Sequence, residues 1–184
     1  MKGVIFTEFL GMVENAFSAD MVDDLIDATN PPSQGAYTAV GTYGHEEIVA
    51  MVVELSHRSG VPVPDLLETF GAHLFARFHT LYPSLVPDSG TAFDFLGSIE
   101  GVIHVQVLKL YPDAELPRLL ATQHSESHMT LVYRSPRGMH DLAIGLIKGC
   151  GRHFGQPLTV EMEIADDQSV TFDIRTATVD GSHE

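Results

Sequence analysis

Two short stretches carry side chains able to do chemistry. In Ile103-His104-Val105-Gln106-Val107, running on through Leu110-Tyr111-Pro112-Asp113-Ala114-Glu115-Leu116-Pro117, one imidazole stands in an otherwise apolar helical segment. A neutral imidazole is a nitrogen donor suited to a transition metal. In Tyr133-Arg134-Ser135-Pro136-Arg137, three hydrogen-bonding side chains fall at alternate positions. Side chains of an extended chain alternate between two faces, so Tyr133, Ser135 and Arg137 are expected to point the same way. A guanidinium fork takes both oxygens of a carboxylate, and no acidic partner lies inside that motif. The plainer readings stay open here: a core histidine donating to a backbone carbonyl, and a strand end whose Ser135 merely caps the next helix.

These residues must be positioned by an α+β chain, a helical N-terminal half followed by a C-terminal antiparallel sheet of about four strands with a packed helix. Ile5, Phe9, Met12, Val13 and Phe17 follow helical spacing, and Ser18-Ala19-Asp20 starts a second helix through Ile26. Asn30-Pro31-Pro32-Ser33-Gln34-Gly35 breaks the chain, and helices are predicted over about 44–58 and 64–80. A long helix over roughly 91–110 carries the stripe Phe93, Leu96, Ile99, Ile103, Val107, Leu110. At ~100° per residue, Gly97, Gly101, Leu108 and Tyr111 fall near the His104 face. Two glycines beside an imidazole predict a flat shelf, for a planar macrocycle or for another helix. Residues 129–133, 158–164 and 169–175 read as strands, the last two joined by Ala165-Asp166-Asp167-Gln168. Ser135-Pro136 predicts a helix start running to about Phe154, stopped by Gly155.

The chain of 184 residues is long enough to bury a core and predicts one domain, 1–184, with a helical subdomain over about 1–62 and the remainder cradling the ligand. Acidic residues outnumber basic ones 25 to 10, a formal charge of −15. Such a surface repels phosphate backbones and anionic membranes, so neither nucleic acid nor membrane is an expected partner. Glu8 interrupts what would be the apolar stretch of a signal peptide. The lone Cys150 excludes an intramolecular disulfide and a multi-cysteine metal cluster, and points to the cytoplasm. Of the ten histidines, His124 and His128 are close in sequence but are assigned to a hairpin loop, where a zinc site is not expected.

With both motifs in this order, the sequence resembles the haem–nitric oxide/oxygen binding (H-NOX) family, the sensor domain also found in soluble guanylate cyclases. The resemblance covers Met1-Lys2-Gly3, His104 to Pro117, Tyr133-x-Ser135-x-Arg137, and the Gly145-Leu146-Ile147 helix ending near His153-Phe154. It implies haem b between the two halves of the fold. His104 would be the proximal ligand of the iron, and Tyr133, Ser135 and Arg137 the clamp on the propionates. Pro117 and Ile5 would press on the porphyrin and bend it.

The resemblance also speaks to which gas binds. Oxygen-binding members carry a distal tyrosine, supported by a tryptophan and an asparagine. The corresponding positions here are Leu142, Phe9 and Leu74, and the chain has no tryptophan. Phe78 and Leu146 are counted with this apolar pocket. Dioxygen on ferrous iron is stabilised by a hydrogen-bond donor and nitric oxide far less, so the missing donors predict a nitric oxide sensor that excludes oxygen and also takes carbon monoxide. His73 and His140 are the side chains able to spoil that prediction. Weakening or rupture of the iron–His104 bond is expected to signal in trans, to a histidine kinase or a cyclic-di-GMP enzyme, because the last strand lies near the end at Glu184 and leaves no output domain. Two other readings remain: a haem enzyme with peroxidase-like activity, which needs a distal acid–base pair, and a haem-free scaffolding domain of the same fold.

Overall fold

The computed structural model describes residues 1–177; residues 178–184, the tail of the expected 1–184 domain, lie outside them. The order is α1 (Gly3–Ala16), α2 (Ala19–Thr29), α3 (His45–Ser59), α4 (Val63–Leu81), α5 (Ala92–Ser98), a π-helical turn (Ile99–Ile103), α6 (His104–Leu110), β1 (Arg118–Ser125), β2 (His128–Arg134), α7 (His140–His153), β3 (Leu158–Ile164) and β4 (Val170–Thr176). This is the expected α+β arrangement. Among the described residues no helix is long and apolar enough to cross a membrane.

Helix ends follow local chemistry. The Ser18 hydroxyl accepts from the Met21 amide at 3.1 Å and opens α2. Left-handed Gly60 closes α3, and Thr91 with Asp94 forms a reciprocal capping box on α5. Phe17, expected to end the α1 stripe, is the C-cap residue and is 41% exposed.

The apolar residues gather into two cores. One joins α1, α2, α3 and the first part of α4, with Leu74, Met139 and Leu142 at its border. The other joins the sheet to α5 and α7 and takes Phe75 from α4. Adjacent residues of α4 thus belong to different cores, so that helix is the seam between the two halves. It packs on α7 backbone to backbone: a β-carbon at Gly145 would run into the Glu68 carbonyl oxygen, and one at Gly71 into that of Leu142. Lys148 of α7 adds an ion pair to Glu68 of α4 at 2.8 Å. Gly145→Ala is therefore expected to force the helices apart at a cost of about 1–3 kcal/mol, only partly offset by a gain of ~1 kcal/mol in helix propensity. Thermal unfolding should show a lower midpoint; an unchanged or raised midpoint would refute the close-packing account.

The sheet is antiparallel in the order β1-β2-β4-β3. Three expectations are corrected at this level. His124 lies in β1 and His128 in β2, flanking the turn rather than sitting in a loop. The final helix starts at His140, not after Ser135-Pro136, because Gly138 at φ 61° takes the left-handed conformation and turns the chain between them. The long helix is interrupted by the π turn, in which the His104 amide bonds to the Ile99 carbonyl. One extra residue in a helical turn shifts everything beyond it by ~100°. The His104 face is therefore shared with Leu96 and Ile99, which line a cavity, while Gly97 and Gly101 are exposed to solvent. The expected glycine shelf faces outward, and Leu108 with it.

Candidate functional site

Between the two halves lies a cavity of about 330 Å³, within the roughly 300–1,000 Å³ of cofactor pockets. It is lined by Ile5 of α1, Leu74 and Phe78 of α4, Leu142 and Leu146 of α7, Pro117 before β1, Tyr133 at the end of β2, and Ser135 and Arg137 of the following turn, together with His104. Ten of the eleven residues singled out in the sequence thus share one cavity. Phe9 does not line it: it is buried edge-to-face against Phe70, their centroids 5.3 Å apart, in the same core as Leu74 and Leu142. Its side chain backs the pocket because α1 turns Ile5, not Phe9, to the opening.

His104 is the one imidazole on that wall among the described residues. His73 pairs with Glu8 at 3.6 Å, beside the Arg77–Glu8 pair, and His140 pairs with Asp141 at 3.7 Å, so neither lines the pocket. Burial pushes the His104 pKa below the ordinary 6.5, with Glu100 acting the other way. The ring is held by its Nδ1, 3.1 Å from the Glu100 carboxylate. The same carboxylate oxygen accepts from the Leu119 amide at 3.1 Å, joining the helical turn to β1. Glu100 lies one turn before His104, on the spacing that brings helical side chains together, and that spacing is its signal in the sequence.

Tyr133, Ser135 and Arg137 converge as expected, though through a turn rather than an extended strand. Burial raises the Tyr133 pKa, while the Ser135 hydroxyl and the Arg137 charge act to lower it. Arg137 is 11% exposed and donates to the Glu115 carbonyl at 2.8 Å and to its carboxylate, whose own side chain is 81% exposed. Glu115 is a second partner, 22 residues from Arg137 and without a local signal in the sequence. Two further phenols on the wall, Tyr82 and Tyr111, bond each other at 2.7 Å. Beyond α6, Lys2 donates to Asp113 at 3.1 Å and to Thr42 at 2.9 Å, and Thr42 donates to Asp113 at 2.7 Å, tying the segment after His104 to the N-terminal helices.

This donor set fits haem. An apolar wall suits the flat macrocycle, a neutral imidazole suits its iron, and the Glu115 carboxylate on Arg137 occupies a fork suited to a propionate.

Comparison with known proteins agrees. The Haem-NO-binding family model matches residues 2–162. The A71G variant of the unliganded Fe(II) H-NOX protein of K. algicida is 38% identical, with TM-score 0.91 over 97% of this chain and 98% of that one. The H-NOX protein of Shewanella woodyi, solved with IWP-051 in the Fe(II)CO state, is 35% identical, with TM-score 0.82 over 97% and 95%. That of S. oneidensis in the Fe(II)NO state, 24% identical, shares the fold with TM-score 0.89 over 97% and 100%. No curated protein sequence matches. A half-buried imidazole on the cavity wall, a tyrosine–serine–arginine cluster and a match over most of its length agree that the chain belongs to the Haem-NO-binding (H-NOX) family, whose members are haem-based gas sensors.

Proposed function

We propose that this protein is a cytoplasmic nitric oxide sensor that excludes dioxygen, has no reaction of its own, and signals in trans. One observation carries the reading: the stretch of the cavity formed by Leu74, Phe78, Leu142 and Leu146 carries no hydrogen-bonding side chain, and the phenols of Tyr82 and Tyr111, elsewhere on the cavity, bond each other at 2.7 Å. Bound haem supplies a ferrous iron that takes a diatomic gas. His104 would hold the iron, with Nε2 left for it because Nδ1 faces Glu100, and burial favours the neutral imidazole that this needs. Tyr133, Ser135 and Arg137 would hold its propionates, and Pro117 and Ile5 would pack against its ring. Those four apolar side chains offer dioxygen nothing for the charge that drifts to its outer atom, whereas nitric oxide loses little for want of a donor. The S. woodyi relative, solved with carbon monoxide, supports diatomic gas binding at ferrous haem.

In this scheme His104 would be the group whose hold on the iron nitric oxide weakens. Release of the imidazole would free α6 to shift, and the Lys2–Asp113–Thr42 network would pass that shift to the N-terminal helices. A histidine kinase or a cyclic-di-GMP enzyme is the proposed partner, and the charge of −15 offers complementarity to a basic surface on it. Absorption spectra of the ferrous protein test the gas assignment. Nitric oxide and carbon monoxide should each give a new Soret band, and exposure to air none; a stable oxygen complex would overturn the reading.

Glu100 is a positioning residue in this scheme. Glu100→Gln keeps an acceptor for the His104 and Leu119 N–H groups and removes the charge that makes the imidazole a stronger donor. The iron–imidazole stretching frequency in resonance Raman spectra should fall, and haem retention should weaken by roughly tenfold. An unchanged frequency would remove Glu100 from the scheme.

A further inference from the structure

We propose that His79, Asp88 and His153 form a binding site for a divalent metal ion of the zinc type, distinct from the haem cavity, that ties the 82–91 loop to the ends of α4 and α7. His79 lies in the last turn of α4, Asp88 in the loop, and His153 at the end of α7. The His79 Nε2 is 2.8 Å from Asp88 Oδ1, the two imidazole centroids are 4.5 Å apart, and one ligand atom from each residue lies within 4.8 Å of the others. Two imidazoles and a carboxylate are a common protein ligand set for zinc, leaving a fourth position to water.

Donors around such an ion stand about 3.4 Å apart, from bond lengths of about 2.1 Å. Closing the cluster therefore asks for a shift of an ångström or so, and Asp88, on an exposed loop, can make it. The ion takes the place of the proton between His79 and Asp88. His153, whose Nε2 now donates to the Pro87 carbonyl at 2.9 Å, turns a ring nitrogen inward. The other close histidine pair is a poorer candidate. His128 is engaged by Asp173 at 2.8 Å, and the Arg175 guanidinium beside it repels a cation.

The ion would also restrain the pocket. Leu85 and Val86, on the same loop as Asp88, line the haem cavity, and Phe78 precedes His79 on α4. Three otherwise separate pieces of the wall are then held at one point.

Equilibrium dialysis of the haem-loaded protein against Zn²⁺, with hydrogen exchange read at the 82–91 amides, tests the proposal. One equivalent should bind and slow exchange in that loop. His79→Gln, Asp88→Asn and His153→Gln should each weaken binding roughly tenfold or more, and His128→Gln should leave it unchanged. Zn²⁺ should raise the thermal midpoint of the parent but not of His79→Gln, by the ordinary linkage of binding to folding. Absence of a stoichiometric ion, undiminished binding by the three variants, loss of binding in His128→Gln instead, or binding without slower loop exchange would each overturn it.

Discussion

His104→Ala is expected to lose the spectrum of a ferrous haem ligated by imidazole, and free imidazole in the buffer is expected to restore it. No other imidazole lines the cavity among the described residues, so no neighbour can substitute, and the truncated side chain leaves room for the free ligand. Loss of the ligand itself should weaken haem retention by more than the roughly 10–100-fold that follows loss of an outer partner such as Glu100. Folding should survive, because the His104 side chain belongs to neither apolar core and the surrounding wall stays intact. Absorption spectra of the purified ferrous variant, with and without imidazole, are the measurement. An unaltered spectrum in His104→Ala would remove the iron from this residue, and the signalling scheme with it. Electron paramagnetic resonance of the nitric oxide complex tests the next step: imidazole nitrogen still bound in every molecule would count against release of α6.

The second large effect is a gain. Leu142→Tyr places a phenol on the cavity wall where no donor now stands, on the first turn of α7. A hydrogen bond to a charged or strongly polarised partner is worth about 1.5–3 kcal/mol, which is roughly ten- to hundredfold in the lifetime of bound dioxygen. Nitric oxide should gain little, so the ratio between the two gases should change, not merely both affinities. Crowding from the larger ring works against stability by about 1–3 kcal/mol, and the cavity relieves part of that. Stopped-flow dissociation of dioxygen from the ferrous variant, beside the parent, reads the outcome. If Leu142→Tyr binds dioxygen no better than the parent, the apolar wall at this position is not what excludes it.

Both effects rest on side chains legible in the sequence, and the reasons differ from those behind the failures. The helices were readable because their buried faces repeat at helical spacing: Phe9, Met12 and Val13 of α1 are all buried, as are Phe93 and Leu96 of α5. The role of Tyr133-x-Ser135-x-Arg137 was legible through the family resemblance, because its spacing alone fits a strand end with Ser135 as a helix cap equally well. The π turn was not, since a uniform 100° wheel has no place for an extra residue, and Gly97 and Gly101 were assigned to the wrong face for that reason. β1 was hidden by its edge position, where Leu120 is 68% exposed and the apolar alternation is weak. Glu115 could not be foreseen at Arg137, because the pair joins residues 22 apart across a turn. Phe9 was placed on the wall by resemblance alone, and packing against Phe70 decided otherwise.

The π turn before His104 has a consequence for how this chain tolerates change in length. A π turn is an α-helix with one residue too many. Deleting Gly101 or Val102 would return the segment to regular α-helix and leave Leu96 and the imidazole on one face. The same deletion in α5, or an insertion just after the turn, would swing the imidazole ~100° around the helix axis and off the cavity. Gly101 and Val102, the two exposed residues of the interruption, are thus the place where its numbering can slip by one while Ile99, Glu100 and Ile103 stay at the site.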